Sequence, residues 1–208
     1  MRLGGRLSGA IEVLNYIETR RRPVSDALKD WGLSRRFAGS GDRAAVGNIV
    51  YDALRMKLSH AYLMDSASPS ALAHAVMFRQ WGFTPDALAA EFAGDKFAPE
   101  PLDPHALNSF ASKNLDDADA HVRGDIPDWV VAHFQANFGD AWLKEAQALA
   151  ARPSLDLRAN TLRSDRDKVL RALEDSHPHA TAIARQGIRI APGEGPSRLP
   201  NVTAELSF

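Results

Sequence analysis

The sequence predicts a mainly α fold that closes with a small α+β unit of strand, helix, strand and strand. Three observations predict it. Apolar residues recur at every third or fourth position from Leu3 to about residue 95 and again from Trp129 to Leu149, the spacing that gives a helix one buried stripe. Proline or glycine interrupts each run. After Pro153 the period falls to two, with Leu155, Leu157 and Ala159 alternating against Asp156, Arg158 and Asn160, as in a strand with one buried face. At 208 residues and 45% hydrophobic content the chain can enclose a core, as one large domain or two small ones.

The first helix carries its stripe on Leu3, Leu7, Ala10, Ile11, Leu14 and Ile17 and stops at Arg20-Arg21-Arg22-Pro23. Proline disfavours helical geometry in the residue before it, and the cations suit the negative end of the helix dipole. A second helix runs through Val24, Ala27, Leu28 and Trp31 to Gly32. In the turn that follows, Ser40 or Asp42 can accept hydrogen bonds from the free amides of a third helix. That helix holds Ala45, Ile49, Val50, Ala53, Leu54 and Leu58 and is expected to reach Met64. Ser68-Pro69 and Thr84-Pro85 each place a capping hydroxyl before a proline at the first helical position, marking two more helix starts. These five helices form a predicted domain over residues 1–95.

Residues 96–126, with Pro99, Pro101, Pro104 and the acidic Asp116-Asp117-Ala-Asp119 patch, read as a linker with one short helix. Residues 127–208 read as a helical hairpin broken at Gly139, with Trp129, Val130, His133 and Phe134 on one face, followed by the α+β unit. In that unit Ser164-Asp-Arg-Asp167 is close to a capping box for a helix over Val169, Leu170 and Leu173. Strands at 180–184 and 188–191 then turn at Gln186-Gly187. The stretch from Leu199 to Phe208 is apolar enough to pair with something.

Composition narrows the chemistry. The chain has no cysteine, which excludes disulfides, thiolate zinc sites and a cysteine nucleophile within it. No run of eighteen apolar residues spans a membrane and the start lacks the apolar block of a secretion signal, so a cytoplasmic protein is expected. The net charge of −1 conceals a polarity. Residues 1–63 carry 11 Lys and Arg against 6 Asp and Glu, residues 64–150 carry 5 against 13, and residues 151–208 carry 9 against 7. Basic ends around an acidic middle suit one face turned to a polyanion, or solvated helix faces clustered by chance.

Two separated stretches carry a family resemblance. Arg36-Phe-Ala-Gly-Ser-Gly-Asp-Arg-Ala-Ala with Ile49-Val-Tyr-Asp-Ala-Leu-Arg55 is one; Ile126-Pro-Asp-Trp129 through Phe138-Gly139, then Leu155-Asp-Leu-Arg-Ala-Asn-Thr-Leu-Arg163, is the other. They resemble the Sun/Fmu (RsmB-like) branch of the RNA 5-methylcytosine methyltransferases, over residues 1–60 and 126–208. The resemblance implies a NusB-like helical domain at the N-terminus and, ahead of the catalytic domain, a unit that engages RNA. It also implies methyl transfer from S-adenosylmethionine to carbon-5 of cytosine through a cysteine adduct. A chain with no cysteine cannot form that adduct. Nor does it hold a glycine-rich strand-to-helix turn for the cofactor, since Gly193-Glu-Gly195-Pro precedes prolines rather than a helix. The expectation is therefore a non-catalytic recognition portion, ending at Phe208 before the methyltransferase domain that would be its partner and would bind S-adenosylmethionine.

The candidate RNA ligands are Arg158, Asn160 and Arg163 in the diagnostic string, because guanidinium forks pair with phosphates and amides bond base edges or sugars. The structural alternative is that Asn160 caps a turn and Arg158 pairs with Asp156 or Asp165. In the helical domain the candidates are Arg20, Arg21, Arg22, Arg35, Arg36 and Arg43. The first three equally fit helix-end charges, and Asp42 or Asp52 could hold Arg43. Trp31, Trp81, Trp129 and Trp142 sit on apolar stripes and are expected in the core rather than as stacking platforms. His177-Pro-His179 lacks partners at metal-ligand spacing. The partner is RNA, ribosomal or transfer. The rival reading is a freestanding NusB-like RNA and protein interaction module, which would need the helices but not the α+β unit. Nothing is spaced as a hydrolase triad.

Overall fold

The computed structural model describes residues 1–192. They divide into two compact units, Met1–Ala151 and a second beginning at Arg152. The Gly193-Glu-Gly195-Pro string and the apolar stretch from Leu199 to Phe208 lie outside the described residues.

The first unit is helical: α1 (Leu3–Arg20), α2 (Val24–Ser34), α3 (Ser40–Arg55), α4 (Lys57–Met64), α5 (Pro69–Arg79), α6 (Pro85–Phe92), α7 (Pro104–Ser112), α8 (Ala120–Arg123), α9 (Val131–Phe138) and α10 (Trp142–Ala150). α5 lies at its centre, against α1, α3 and α4, and every residue from Ala71 to Phe78 is buried. A helix enclosed on all sides carries apolar residues all round, as this one does except at His74, whose Nδ1 bonds the Ser70 carbonyl at 2.8 Å. α1 contributes Leu7, Ala10, Val13 and Leu14 to the same core, and α3 contributes Val46, Ile49, Val50 and Ala53. The predicted caps of α5 and α6 are present, with Ser68 Oγ accepting from the Ala71 amide at 3.2 Å and Thr84 Oγ1 from the Ala87 amide at 3.1 Å. At α3 the cap is Asp42, whose carboxylate accepts from the Gly39 amide at 3.1 Å and from Arg6 Nε at 2.9 Å.

Two expectations change here. The third helix does not run unbroken to Met64: it ends at Arg55, and Met56 (φ −111°, ψ 34°) separates it from α4. Six helices, not five, therefore precede residue 95. Residues 96–126, expected as a linker, hold α7 and α8, both packed against α4. Leu102, Ala106, Ala118 and Ile126 are buried there. Lys113 Nζ donates to Asp65 at 2.6 Å and to the Tyr62 carbonyl at 2.9 Å, which fastens α7 to the end of α4. Asp125, in left-handed backbone at φ 51°, accepts from the Ser59 amide at 2.8 Å and the Ser59 hydroxyl at 2.6 Å. Arg79 donates to that hydroxyl at 2.8 Å. The boundary between units thus falls after the hairpin α9–α10 rather than before it.

Among the described residues the second unit holds a three-stranded antiparallel sheet and one α-helix. It comprises β1 (Leu155–Arg158), α11 (Arg166–Ala172), β2 (His179–Ala180) and β3 (Gly187–Ile190), in the order β1-β3-β2. Register places Leu155 opposite Ile190 and Leu157 opposite Ile188, so these side chains share the inner face, where Leu173 and Ala159 are also buried. Asp156 stands opposite Arg189 on the other face. The helix cap is Asp165, accepting from the Lys168 amide at 2.8 Å, rather than Ser164. The strand expected at 180–184 is only His179–Ala180. Beyond it Thr181 Oγ1 donates to the Ala184 carbonyl and the Gly187 amide donates to the same oxygen, closing a turn that leaves Ile183 fully exposed. Among the described residues no helix is long and apolar enough to cross a membrane.

Candidate nucleic-acid interface

The end of β1 and the turn after it bring Arg158, Asn160 and Arg163 together. Alternation along β1 turns Leu155 and Leu157 inward, so Arg158 projects outward and is exposed. The ladder continues one step past the strand through the Ala159 amide and the Gln186 carbonyl, at 3.0 Å. The chain then reverses on Asn160: its carbonyl accepts from the Arg163 and Ser164 amides, and its Oδ1 accepts from the Leu162 amide at 3.2 Å. Asn160 is thus a turn residue, as the structural alternative required, but this uses only its oxygen. The side-chain NH2 has no partner among the described residues.

Arg158 does not form the ion pair considered for it. Asp156 is taken by Arg189 from the neighbouring strand, through two bonds of 2.6 and 2.7 Å, and Asp165 by Lys168 at 3.2 Å. The Arg189 hydrogen bonds hold the Asp156 carboxyl below its ordinary range despite some desolvation. Arg158 and Arg163 have no carboxylate partner among the described residues, so both guanidinium groups are left facing solvent. Between them Leu162, 94% exposed, puts an apolar side chain at the tip of a cationic turn. Sequence reasoning missed Arg189 and His179, which line a shallow groove beside Arg158; only the strand register, with His179 opposite Arg189, could have placed them there.

The helical candidates are divided. Arg20 ends α1, Arg21 follows in left-handed backbone, and Arg22 is paired with Asp30 at 3.3 Å. Arg35 is paired with Glu12 at 3.0 Å, and Arg43 Nε donates to the Ala38 carbonyl at 3.0 Å rather than to Asp42 or Asp52. Asp52 pairs with Arg55 instead. Arg21 and Arg36 are exposed without an ion-pair partner among the described residues. In sequence α2 separates the Arg20–Arg22 group from Arg35 and Arg36, and Arg22 reaches along that helix to Asp30. Of the tryptophans, Trp31 is buried and Trp81 packs on the core, but Trp129, expected inside, is 76% exposed. Among the described residues no group of three or more His, Asp or Glu is placed to hold a metal ion.

Residues 126–193, which include the hairpin, β1 and the Arg158–Arg163 turn, match the family described as RsmF/B-like methyltransferase, ferredoxin-like domain. The strand-helix-strand-strand succession, with β3 between β1 and β2, is part of the ferredoxin-like pattern. The likeness to the Sun/Fmu N-terminal family is thereby supported. The crystal structure of PH0851 is similar to this chain with a TM-score of 0.54 at 12% identity, over 94% of this chain and 50% of that one, a likeness of fold. The chain spans about half the length of PH0851. Comparison with curated proteins gives no match.

Proposed function

We propose that this chain is the RNA-engaging, non-catalytic portion of an S-adenosylmethionine-dependent RNA cytosine-5-methyltransferase. Ribosomal RNA is the favoured substrate class, and the methyltransferase domain that would bind S-adenosylmethionine is its natural partner. The observation that carries the reading is the exposed Arg158–Arg163 turn, whose arginines have no carboxylate partner among the described residues, within the segment that matches the RsmF/B-like model. Two guanidinium groups and an amide NH2 without partners among the described residues, with an exposed leucine, suit a single-stranded or bulged RNA backbone with one base laid against the turn. The missing thiol supports the non-catalytic part. Carbon-5 of cytosine becomes nucleophilic only after a soft nucleophile adds to the neighbouring ring carbon, and no cysteine exists in the 208 residues. The helical unit is read as NusB-like. A freestanding interaction module would have no use for the sheet unit, which favours the methyltransferase reading over that rival.

Affinity for a single-stranded RNA, measured by anisotropy across a salt series, tests the turn. Replacing Arg158 and Arg163 together by alanine is expected to weaken binding and to lower the magnitude of the log-affinity against log-salt slope by about 1.4, the release of two phosphate-bound cations. An unchanged slope would remove the turn from the interface. The chain alone is expected to transfer no label from radioactive S-adenosylmethionine to RNA, and turnover would overturn the non-catalytic assignment.

A further inference from the structure

The helical unit holds a groove of about 1030 Å³ that the Arg158–Arg163 turn does not use. Its floor is the N-terminal half of α1 and the indole of Trp31. Gly9 makes the floor flat: a β-carbon there would lie 2.5 Å from Trp31 Cζ2, so only glycine lets the indole rest on the helix. Trp31 Nε1 donates to Glu12 at 3.1 Å, which fixes the ring. Two aromatic rings stand along the groove with unusual exposure, Phe37 at 71% and Phe97 at 64%. Phe97 is not loose. Ser8 Oγ donates to its carbonyl at 2.7 Å, and its amide donates to Asp95 at 3.0 Å, in a turn made by Gly94 at φ 72°.

The charges of the lining are unbalanced toward the cation. Glu12 is engaged by Arg35 as well as by the indole, and Asp95 by the Phe97 amide. Arg2 and Lys96 have no carboxylate partner among the described residues, and the Lys96 ammonium sits 4.9 Å from the Phe97 ring centre. Two exposed rings, of which Phe97 is held by its backbone, edged by cations that have no carboxylate partner among the described residues, match an unstacked nucleobase with its phosphates, because every base has a π face and the backbone carries the charge. An apolar peptide would use the rings but not the cations.

We propose that this groove is a second RNA-binding site, taking a nucleotide of single-stranded RNA against Phe37 and Phe97 with its phosphates at Arg2 and Lys96. The proposal rests on the reading of the chain as RNA-engaging. Because both rings are exposed, removing them leaves the core intact, and thermal melting followed by circular dichroism provides the check. With a ten-nucleotide single-stranded RNA, Phe37→Ala combined with Phe97→Ala is expected to weaken binding about tenfold or more with little change in salt slope, since stacking releases no counterions. Arg2→Gln with Lys96→Gln is expected to lower the slope instead. If the unaltered chain has no affinity for the RNA, both this proposal and the wider reading fail. Binding that survives the double phenylalanine variant undiminished overturns the groove alone. So does a spectrum in which RNA leaves the Gly9 and Lys96 amide resonances in place while an apolar peptide shifts them.

Discussion

Removing the carboxylate of Asp125 is expected to cost unit 1 about 3 kcal/mol of stability, read as a drop in the urea midpoint, through the loss of two charge-assisted hydrogen bonds and the stranding of a buried hydroxyl network. Ser59 is fully buried, and both its amide and its hydroxyl donate to Asp125. With Asp125→Ala the amide has nowhere to turn, and Arg79, held through the same hydroxyl, loses its counter-charge. Alanine also fits poorly at φ 51°. Asparagine separates the causes. It tolerates the left-handed region and keeps an acceptor for Ser59. Burial is the largest influence on the Asp125 carboxyl and holds it above its ordinary range, against Ser59 and Arg79, so the charge itself is disfavoured at this site. Asp125→Asn is therefore expected to cost less than half of what alanine costs. If alanine changes the midpoint no more than a surface substitution does, the segment after α8 is not clasped to α4 and α5 in this way.

Acid is expected to destabilise the same unit well before its carboxylates titrate. His60 on α4 is wholly buried, and neither ring nitrogen has a hydrogen-bond partner among the described residues. Burial first, and the nearby Arg79 charge second, push its pKa from 6.5 down to about 3, against a weaker opposing pull from Gln80. The unfolded chain thus binds the proton at a pH where the folded one refuses it, and stability falls as pH falls from about 6.5 toward 3. From pH 7 to 4.5 the loss is roughly 2–3 kcal/mol. His74, lowered by its own burial, adds in the same sense. Asp125, raised, works weakly the other way, while Asp65, lowered chiefly by Lys113, loses its contribution only in stronger acid. His60→Leu removes two orphaned polar atoms and is expected to shrink the difference between the pH 7 and pH 4.5 midpoints. An unaltered difference would place the acid sensitivity elsewhere.

The sequence revealed elements wherever a local signal was strong. Ser68-Pro69 and Thr84-Pro85 announced α5 and α6 because cap and proline act within one turn. Asp103-Pro104 is the same signal for α7, with Asp103 accepting from the His105 amide at 2.9 Å, but it was hidden among Pro99 and Pro101. The break at Met56 leaves no trace, since Leu54 and Leu58 keep the helical period across it. Ala180–Ala184 alternates like a strand, yet the Thr181 side chain competes for the backbone and wins. At the candidate interface, period two was enough to turn Arg158 outward. What the sequence could not show was which carboxylate was already spoken for, because Asp156 meets Arg189 only through the register of β1 on β3. For the same reason Phe37 and Phe97, far apart along the chain, give no hint that they share a groove.

The enclosure of α5 bears on how unit 1 comes apart. With Ala71 through Phe78 all buried against α1, α3 and α4, no fluctuation of a single surface helix exposes its backbone. Its amide protons are expected to trade with deuterium only when α1, α3 and α4 part from it together, so their exchange reports the opening of that four-helix core, and a protease would find α5 only after those neighbours had let go.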